Sequence, residues 1–520
     1  MSADLVLRGG LVVDGTGTGP DAVDVVIAGG RILGLVAPGS PVDAEVVDVT
    51  GHVVTPGFVD IHTHSDLGRI TYPDAASRAL QGITTEVIGN CGLSPAPFGA
   101  VTDLREFRTI IGPIDTVDDL EFGWTSTAEY LDVLDSTPGA TNLVPLLGHG
   151  SLRYSAMGLR TGAASAEERA AMQATLHAAL DEGFWGMSLG FMYAPGEVSD
   201  EVELHSLLRV LHEHDRALLT SHLRAYNQEG LAAAVTEALD LAAAGDVPLE
   251  ISHLRSLNDD GSAIERAFDL LESTRVDVEA DAYPYLAGHT TLLQLLPADL
   301  RGTGVGAILE LARTLPGSLA AALRSVQAFG PDAITIARAS AGAPEVGLTL
   351  DQLESTSEDW AAVCERLLVS AAGNVDVIVV GTRAEDGARV LADPLVSIAS
   401  DGSALSLDHS ASVPHPRSIG TFPRAFRELV DAGIPLGEVV RKATFKPARR
   451  MGLTDRGLVA PGMIADLVVI DPALIADRAT YSSPLVPPVG VRDVLVGGVA
   501  VVKDAMPTGA RPGRLLRRTT

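Results

Sequence analysis

Gly57-Phe-Val-Asp-Ile-His-Thr-His-Ser-Asp66 is a short apolar run that ends in two histidines one residue apart. The run is rich in strand-forming residues, and positions i and i+2 of a strand point to the same side. Both imidazoles can therefore face one ion. Outward from this stretch, comparable apolar runs recur at 84–90, 142–148, 186–190, 217–222, 248–253, 276–281 and 396–401. Ala/Leu/Glu-rich stretches such as 164–182 and 230–244 separate several of them and read as helices. Near-continuous apolar strands alternating with helices predict a parallel sheet covered by helices. Eight such strands predict an α/β chain with a closed (β/α)₈ TIM-type barrel. The barrel is expected over 56–454, with an insertion after the seventh strand at about 287–350. Both chain ends read instead as short strands with tight turns, so 1–55 and 455–520 are expected to form one small β-sandwich domain.

Polar residues of distinctive type fall at the C-terminal ends of the expected barrel strands, the face that carries active sites in such barrels. His62 and His64 end the first strand and Cys91 follows the second. His222 ends the fifth in Leu-Thr-Ser-His-Leu-Arg and His253 the sixth in Glu-Ile-Ser-His-Leu-Arg. Asp401 ends the eighth in Ile-Ala-Ser-Asp-Gly. Imidazole, thiolate and carboxylate are the ligands zinc prefers. Taken singly, a strand-end histidine is more often a hydrogen-bonded structural residue, and a lone cysteine a small buried hydrophobe. Six suitable ligands at one end of five strands favour a metal site. His149 ends the third strand between two glycines, which suits close approach to a ligand, and is placed as a candidate substrate contact. Arg255 follows His253 by two strand positions and is expected on the same side of the sheet.

These motifs resemble the amidohydrolase superfamily, and within it the N-acyl-D-amino-acid deacylases (D-aminoacylases). The resemblance rests on 57–66, Gly-Asn-Cys-Gly-Leu-Ser-Pro-Ala-Pro at 89–97, Gly-His-Gly-Ser-Leu-Arg at 148–153 and Ser-His-Leu-Arg at 252–255. Asp-Ala-Tyr-Pro-Tyr at 281–285 and His-Pro-Arg-Ser-Ile-Gly-Thr-Phe-Pro-Arg at 415–424 complete it. It implies zinc-dependent hydrolysis of the amide bond of a small N-acyl-D-amino acid. Cys91, His222 and His253 would be the tight zinc site, with Cys91 in place of a bridging carboxylated lysine. His62, His64 and Asp401 would be a weaker second site, partly empty. Asp401 matches the family's catalytic aspartate. Tyr193, Arg255 and Tyr283 fall where the family holds the substrate α-carboxylate, with Tyr285 two residues from Tyr283 as a competing match. The stretch 287–297 lies where the family shapes its side-chain pocket. It is mostly Leu and Thr, and the next arginine is Arg301. The expected substrate side chain is therefore neutral and apolar, unless these leucines only pack the insertion's own core. His415 belongs to the matching motif without an evident physical role.

The rest of the chain narrows the choices. Its 520 residues carry a formal charge of −29, with 46% hydrophobic and 20% charged residues. A surface this acidic repels phosphate backbones and anionic lipid, which argues against nucleic-acid or membrane partners. The start lacks a signal-peptide pattern and only Cys91 and Cys364 are present, so a reducing cytoplasm is expected. Another amidohydrolase branch, a cyclic amidase such as a hydantoinase or a D-residue dipeptidase, is the alternative enzyme. A non-catalytic scaffold would show lost ligands, and none is missing. Gly186-Met-Ser-Leu-Gly190 matches the serine-hydrolase elbow, but loop rather than helix follows it, so Ser188 reads as structural. His205, His212 and His214 read as solvated or packing residues, and Cys364 as a helix packing residue.

Overall fold

The computed structural model describes residues 3–98, 107–108, 111, 120–325, 329–353, 359–410 and 412–518. The expected insertion thus includes three residues, 326–328, outside the described ones. In chain order the strands are β1 (Leu5–Arg8), β2 (Leu11–Val12), β3 (Asp24–Ala28), β4 (Arg31–Val36), β5 (Glu45–Asp48), β6 (Val53–Pro56), β7 (Phe58–Asp60) and β8 (Ile83–Ile88). They continue with β9 (Asn142–Pro145), β10 (Leu147–Gly148), β11 (Gly186–Gly190), β12 (Leu218–His222), β13 (Leu249–Ile251) and β14 (Val278–Ala282). The last are β15 (Ala287–Thr291), β16 (Ile334–Arg338), β17 (Asp376–Val380), β18 (Val396–Ile398), β19 (Leu467–Ile470), β20 (Val491–Val496), β21 (Val499–Lys503) and β22 (Met506–Pro507).

All eight apolar runs of the middle region contain strands, and these pair in parallel in chain order. One arc is β7-β8-β9 and the other β10-β11-β12-β13-β14-β18. Leu146 alone separates β9 from β10. At the far edges, Asp401 N donates to His62 O (2.8 Å) and His64 N to Gly402 O (2.8 Å), tying the residues after β18 to those after β7. Strand cores such as Ile83, Val87, Leu219 and Leu249 are buried, as two-sided coverage requires. The covering helices start where their caps direct. Ser126 with Glu129 and Ser165 with Glu168 form capping boxes at the helices Thr127–Ser136 and Ala166–Glu182.

The two chain ends meet in two sheets, β4-β3-β1-β5 and β2-β6-β19-β20-β21-β22, among the described residues. Leu7, Val25, Ile27 and Ile32 of one share a core with Val54, Leu467, Val469 and Leu495 of the other. The final residues go elsewhere: Gly513 N bonds to Gly139 O and Leu516 N to Leu143 O, so the tail runs along β9. The insertion is also longer than expected. β15, β16 and β17 form an antiparallel sheet, and β17 ends at Val380 rather than near 350. Asp-Val-Ile-Val-Val at 376–380 has the composition of a buried strand of any sheet. Only its antiparallel partners assign it to the insertion. Cys364 lies in the helix Trp360–Ser370 and packs, fully buried, in the insertion's core.

Candidate active site

The strand-end residues converge on one cavity. Cys91 Sγ lies 3.3 Å from His62 Nε2 and 3.6 Å from His253 Nε2, and His253 Nε2 lies 2.9 Å from His222 Nδ1. On the other side, Asp401 Oδ1 is 3.0 Å from His64 Nε2 and 3.6 Å from His62 Nε2. Two ligand groups result, Cys91/His222/His253 and His62/His64/Cys91/Asp401, each with its donor atoms within 4.8 Å of one another. Cys91 belongs to both. All six residues are buried.

The backbone needed for this is costly locally. Cys91, His253 and Asp401 have φ of +56°, +36° and +52°, the left-handed region that non-glycine residues seldom enter. The strands end before these residues, and the chain turns sharply to aim each side chain inward. The Cys91 turn packs directly on β11: a Cβ on Gly92 would lie 2.6 Å from Gly190 N, and one on Gly190 only 1.9 Å from Cys91 O. Ser188 fastens the same turn, accepting from Gly92 N (2.9 Å) and donating to Gly89 O (2.5 Å). That is the structural duty expected of the Gly186–Gly190 motif.

The electrostatics follow from this crowding. Burial alone pushes the Cys91 thiol up, but His62 and His222, with hydrogen bonds from His222 and His253, carry it well below its ordinary range. Burial likewise opposes ionisation of Asp401, but Arg417 and His64 hold it well below the usual carboxylate range. Burial depresses His64, yet bonds to Asp401 and Cys91 bring it up to about 9. Burial lowers His222 to about 4, leaving a neutral imidazole. A thiolate and a carboxylate thus sit among imidazoles of which His62 and His64 are driven towards the charged form, an electrostatic demand that a bound cation also meets. The donor set suits zinc: two ring nitrogens 2.9 Å apart face a sulfur, and imidazole and thiolate are ligands that zinc prefers. Support from behind is in place. Asp281 contacts His62 Nδ1 at 3.2 Å and accepts from His253 N at 2.8 Å, and Tyr226 Oη is 3.0 Å from His253 Nδ1.

The cavity is lined on its polar side by His64, Cys91, His222, His253 and Asp401 with Tyr193, Arg255, His289 and Arg417, and on its apolar side by Leu93, Met192, Leu257, Leu295, Phe329 and Val379. Arg255 donates to Tyr283 Oη, and Arg417 reaches the same hydroxyl at 3.3 Å. The Arg255 guanidinium lies against Gly288, where a Cβ would come within 2.4 Å of it. Tyr193 Oη is 3.3 Å from Thr290 Oγ1, and its ring packs edge-on to His222. Arg255 thus reaches the cavity, but not by strand alternation: β13 ends at Ile251, and His253 has left-handed backbone. Tyr285 turns away, donating to Asp477 at 2.7 Å.

Two expectations change, for His149 and for the leucines of 287–297, while Arg301 stays out of the cavity as expected. His149 is not brought to the cavity; it is fully buried, with Nε2 2.8 Å from Glu203 Oε1, and Arg153 pairs with the same carboxylate. The glycines beside it serve close packing instead, since a Cβ on Gly148 would lie 2.7 Å from the Gly92 backbone. Of the leucines in 287–297, Leu292 and Leu296 are fully buried in the insertion's own core, while Leu295 faces the cavity beside Thr290 and Gln294. Arg301 is turned from the cavity and paired with Glu197 at 3.6 Å.

Reading from strand ends missed Arg417, Tyr226, Asp281 and His289. Arg417 bonds Asp401 Oδ2 at 2.7 Å from the first residue of the helix Arg417–Asp431, not from a strand end, so strand periodicity does not mark it. Its signal was the motif His415-Pro-Arg, and the structure explains that histidine. His415 Nε2 donates to Ala287 O (3.1 Å) while Nδ1 accepts from Arg417 N (3.0 Å), which ties Arg417 to β15.

The amidohydrolase family model matches residues 45–502. A D-aminoacylase of Alcaligenes xylosoxydans xylosoxydans is 34% identical over 99% of this chain and 98% of its own. The solved N-acyl-D-glutamate deacylase of Bordetella bronchiseptica, complexed with zinc and a phosphonate mimic of the tetrahedral intermediate, superposes with a TM-score of 0.83 at 30% identity. That match covers 99% of this chain and 100% of the other. A solved D-aminoacylase, described as having a binuclear metal centre with one-metal activation and second-metal attenuation, matches at 0.82 and 32% identity, with coverages of 99% and 100%. The chain belongs to the amidohydrolase family, in its D-aminoacylase branch. Among the described residues no helix is long and apolar enough to cross a membrane.

Proposed function

We propose that this protein hydrolyses N-acyl-D-amino acids to a carboxylate and the free D-amino acid, at a zinc site in the mouth of a (β/α)₈ barrel. The observation that carries the reading is Cys91, shared by both ligand groups beside a cavity that holds a cation, Arg255. Closure of the two parallel arcs into the barrel is supported by the β9–β10 continuity and by the bonds between 62–64 and 401–402. The two chain ends form the second domain. In this reading Cys91, His222 and His253 hold the tight zinc, and His62, His64 and Asp401, with Cys91, a weaker second ion. Zinc bound there lowers the pKa of water towards neutrality and polarises the acyl carbonyl.

The chain's own residues do the rest. Asp401 takes a proton from the attacking water and delivers it to the departing nitrogen. Arg417, on Asp401 Oδ2, holds the carboxylate in place. Arg255, with Tyr283 and Tyr193, binds the substrate α-carboxylate and orients the scissile bond, so the chirality at Cα decides where the side chain goes. That side chain meets Leu257, Leu295, Phe329 and Val379. Arg255 is engaged by the α-carboxylate in this reading, and two further arginines nearby are already paired, Arg301 with Glu197 and Arg417 with Asp401. A neutral, apolar D-side chain gains from leaving water there, and a second carboxylate does not. A reducing cytoplasm, which keeps Cys91 a free thiolate, belongs to the same reading.

The test is a screen of N-acetyl, N-formyl and N-succinyl D- and L-amino acids with the zinc-loaded protein, with a hydantoin alongside. Cleavage confined to the linear D-substrates supports the reading, and preferential ring opening of the hydantoin overturns it. N-acetyl-D-Leu is expected to exceed N-acetyl-D-Glu in kcat/KM. The reverse order would remove the apolar subsite.

A further inference from the structure

His177, Asp181 and His214 form a second cluster of metal-ligating side chains, far from the cavity. Their donor atoms lie within 4.8 Å of one another. His177 and Asp181 are one turn apart on the helix Ala166–Glu182, and His214 follows the helix Glu201–His212. His214 precedes β12, the strand whose other end carries His222. The cluster therefore lies at the opposite end of that strand from the candidate active site, roughly 13 Å or more away.

The hydrogen bonding at His214 is informative. Its Nδ1 lies 2.9 Å from Val210 O, an oxygen that can only accept, so Nδ1 carries the proton. Nε2 then presents a lone pair, and it faces Asp181 Oδ1 at 3.3 Å. Two acceptors in contact need a positive charge between or on them, either a second ring proton or a cation. His177 Nδ1 stands 3.5 Å from the other carboxylate oxygen, and the two rings meet edge to face with centroids 4.8 Å apart. A histidine that donates one ring N–H to a backbone carbonyl and offers the other nitrogen outward is the arrangement that orients metal-bound imidazoles. Two imidazoles and one carboxylate suit a borderline divalent transition ion, with water completing the shell at this half-exposed position. The chain's net charge of −29 favours cations at its surface generally.

We propose that His177, Asp181 and His214 bind a divalent transition metal such as Zn²⁺, stapling the end of one barrel helix to the segment after the next. Binding there adds stability and zinc content without touching the reaction. Total zinc above one equivalent would then not by itself establish a binuclear active site.

The test uses the full-length holoenzyme and two variants of exposed residues, Asp181→Asn and His177→Gln. Each protein is dialysed against excess Zn²⁺ and its zinc content and Tm are measured. The wild type should hold one equivalent more than either variant. It should also gain about 1–2 °C more in Tm from added Zn²⁺. Activity on the N-acyl-D-amino acid should be the same for all three. Equal zinc content and equal zinc-dependent Tm in the three proteins would overturn the proposal and leave His214–Asp181 as a proton-mediated pair.

Discussion

Two places in this molecule bury histidine against acid, and they behave differently. At His149 the imidazole meets Glu203, Glu203 also meets Arg153, and His149 is not among the residues that line the cavity beside Cys91. Around Cys91 the imidazoles meet one another, a sulfur and a carboxylate, with donor atoms turned towards a common space. Both places set an imidazole against a carboxylate, and His149, like Cys91, directly follows the end of a parallel strand or its turn. What separates structure from chemistry is whether the charges close on themselves. At His149, acid and base neutralise one another inside the protein. At Cys91 they converge without closing, and the imbalance is what an ion and a substrate can satisfy.

The sharpest way to break this contrast is at Cys91. Cys91→Ala removes the atom shared by both ligand groups. Zinc and activity should be lost together, as metal analysis and steady-state rates would show; an active, zinc-replete variant would sink the assignment. Next is Asp401→Asn, which keeps the shape and removes the base. It should cost kcat roughly 10² or more while zinc in the Cys91/His222/His253 group persists. A rate within a few-fold of wild type would leave Asp401 as a ligand without a catalytic role.

Arg255→Met should cost at least about 2 kcal/mol in kcat/KM, because a substrate carboxylate would be left without its cation. The companion measurement is an N-acyl amine lacking that carboxylate. It should be a poor substrate for the native enzyme and little affected by the substitution. Equal cleavage of amine and acid by the native enzyme would end the clamp. The smallest effect on turnover should come from the other region. His149→Leu leaves Glu203 a partner short and should cost about 1–3 kcal/mol of stability, read by denaturant unfolding, with kcat/KM close to native. A large loss of kcat with stability intact would return His149 to the site.

The sequence by itself determined the eight strands, their parallel order and the ligand types, because each is local. Apolar runs of strand length bounded by glycine, and capping serines three residues before a glutamate, act within a few residues of chain. It also determined which positions could matter, since His62, His64, Cys91, His222, His253 and Asp401 each end or follow such a run. Only the tertiary structure decided which of them meet. Left-handed backbone at Cys91, His253 and Asp401 re-aims side chains that alternation would have placed otherwise, and no spacing rule announces it. It decided equally that Arg417 joins Asp401, that Tyr226 and Asp281 stand behind the imidazoles, and that His149 does not take part. It set the insertion's end at β17, whose sequence suits any buried sheet. The physical reason is the same in each case. Local chemistry selects what a segment can be, whereas electrostatic closure, cavity lining and sheet partnership are relations between segments far apart in the chain.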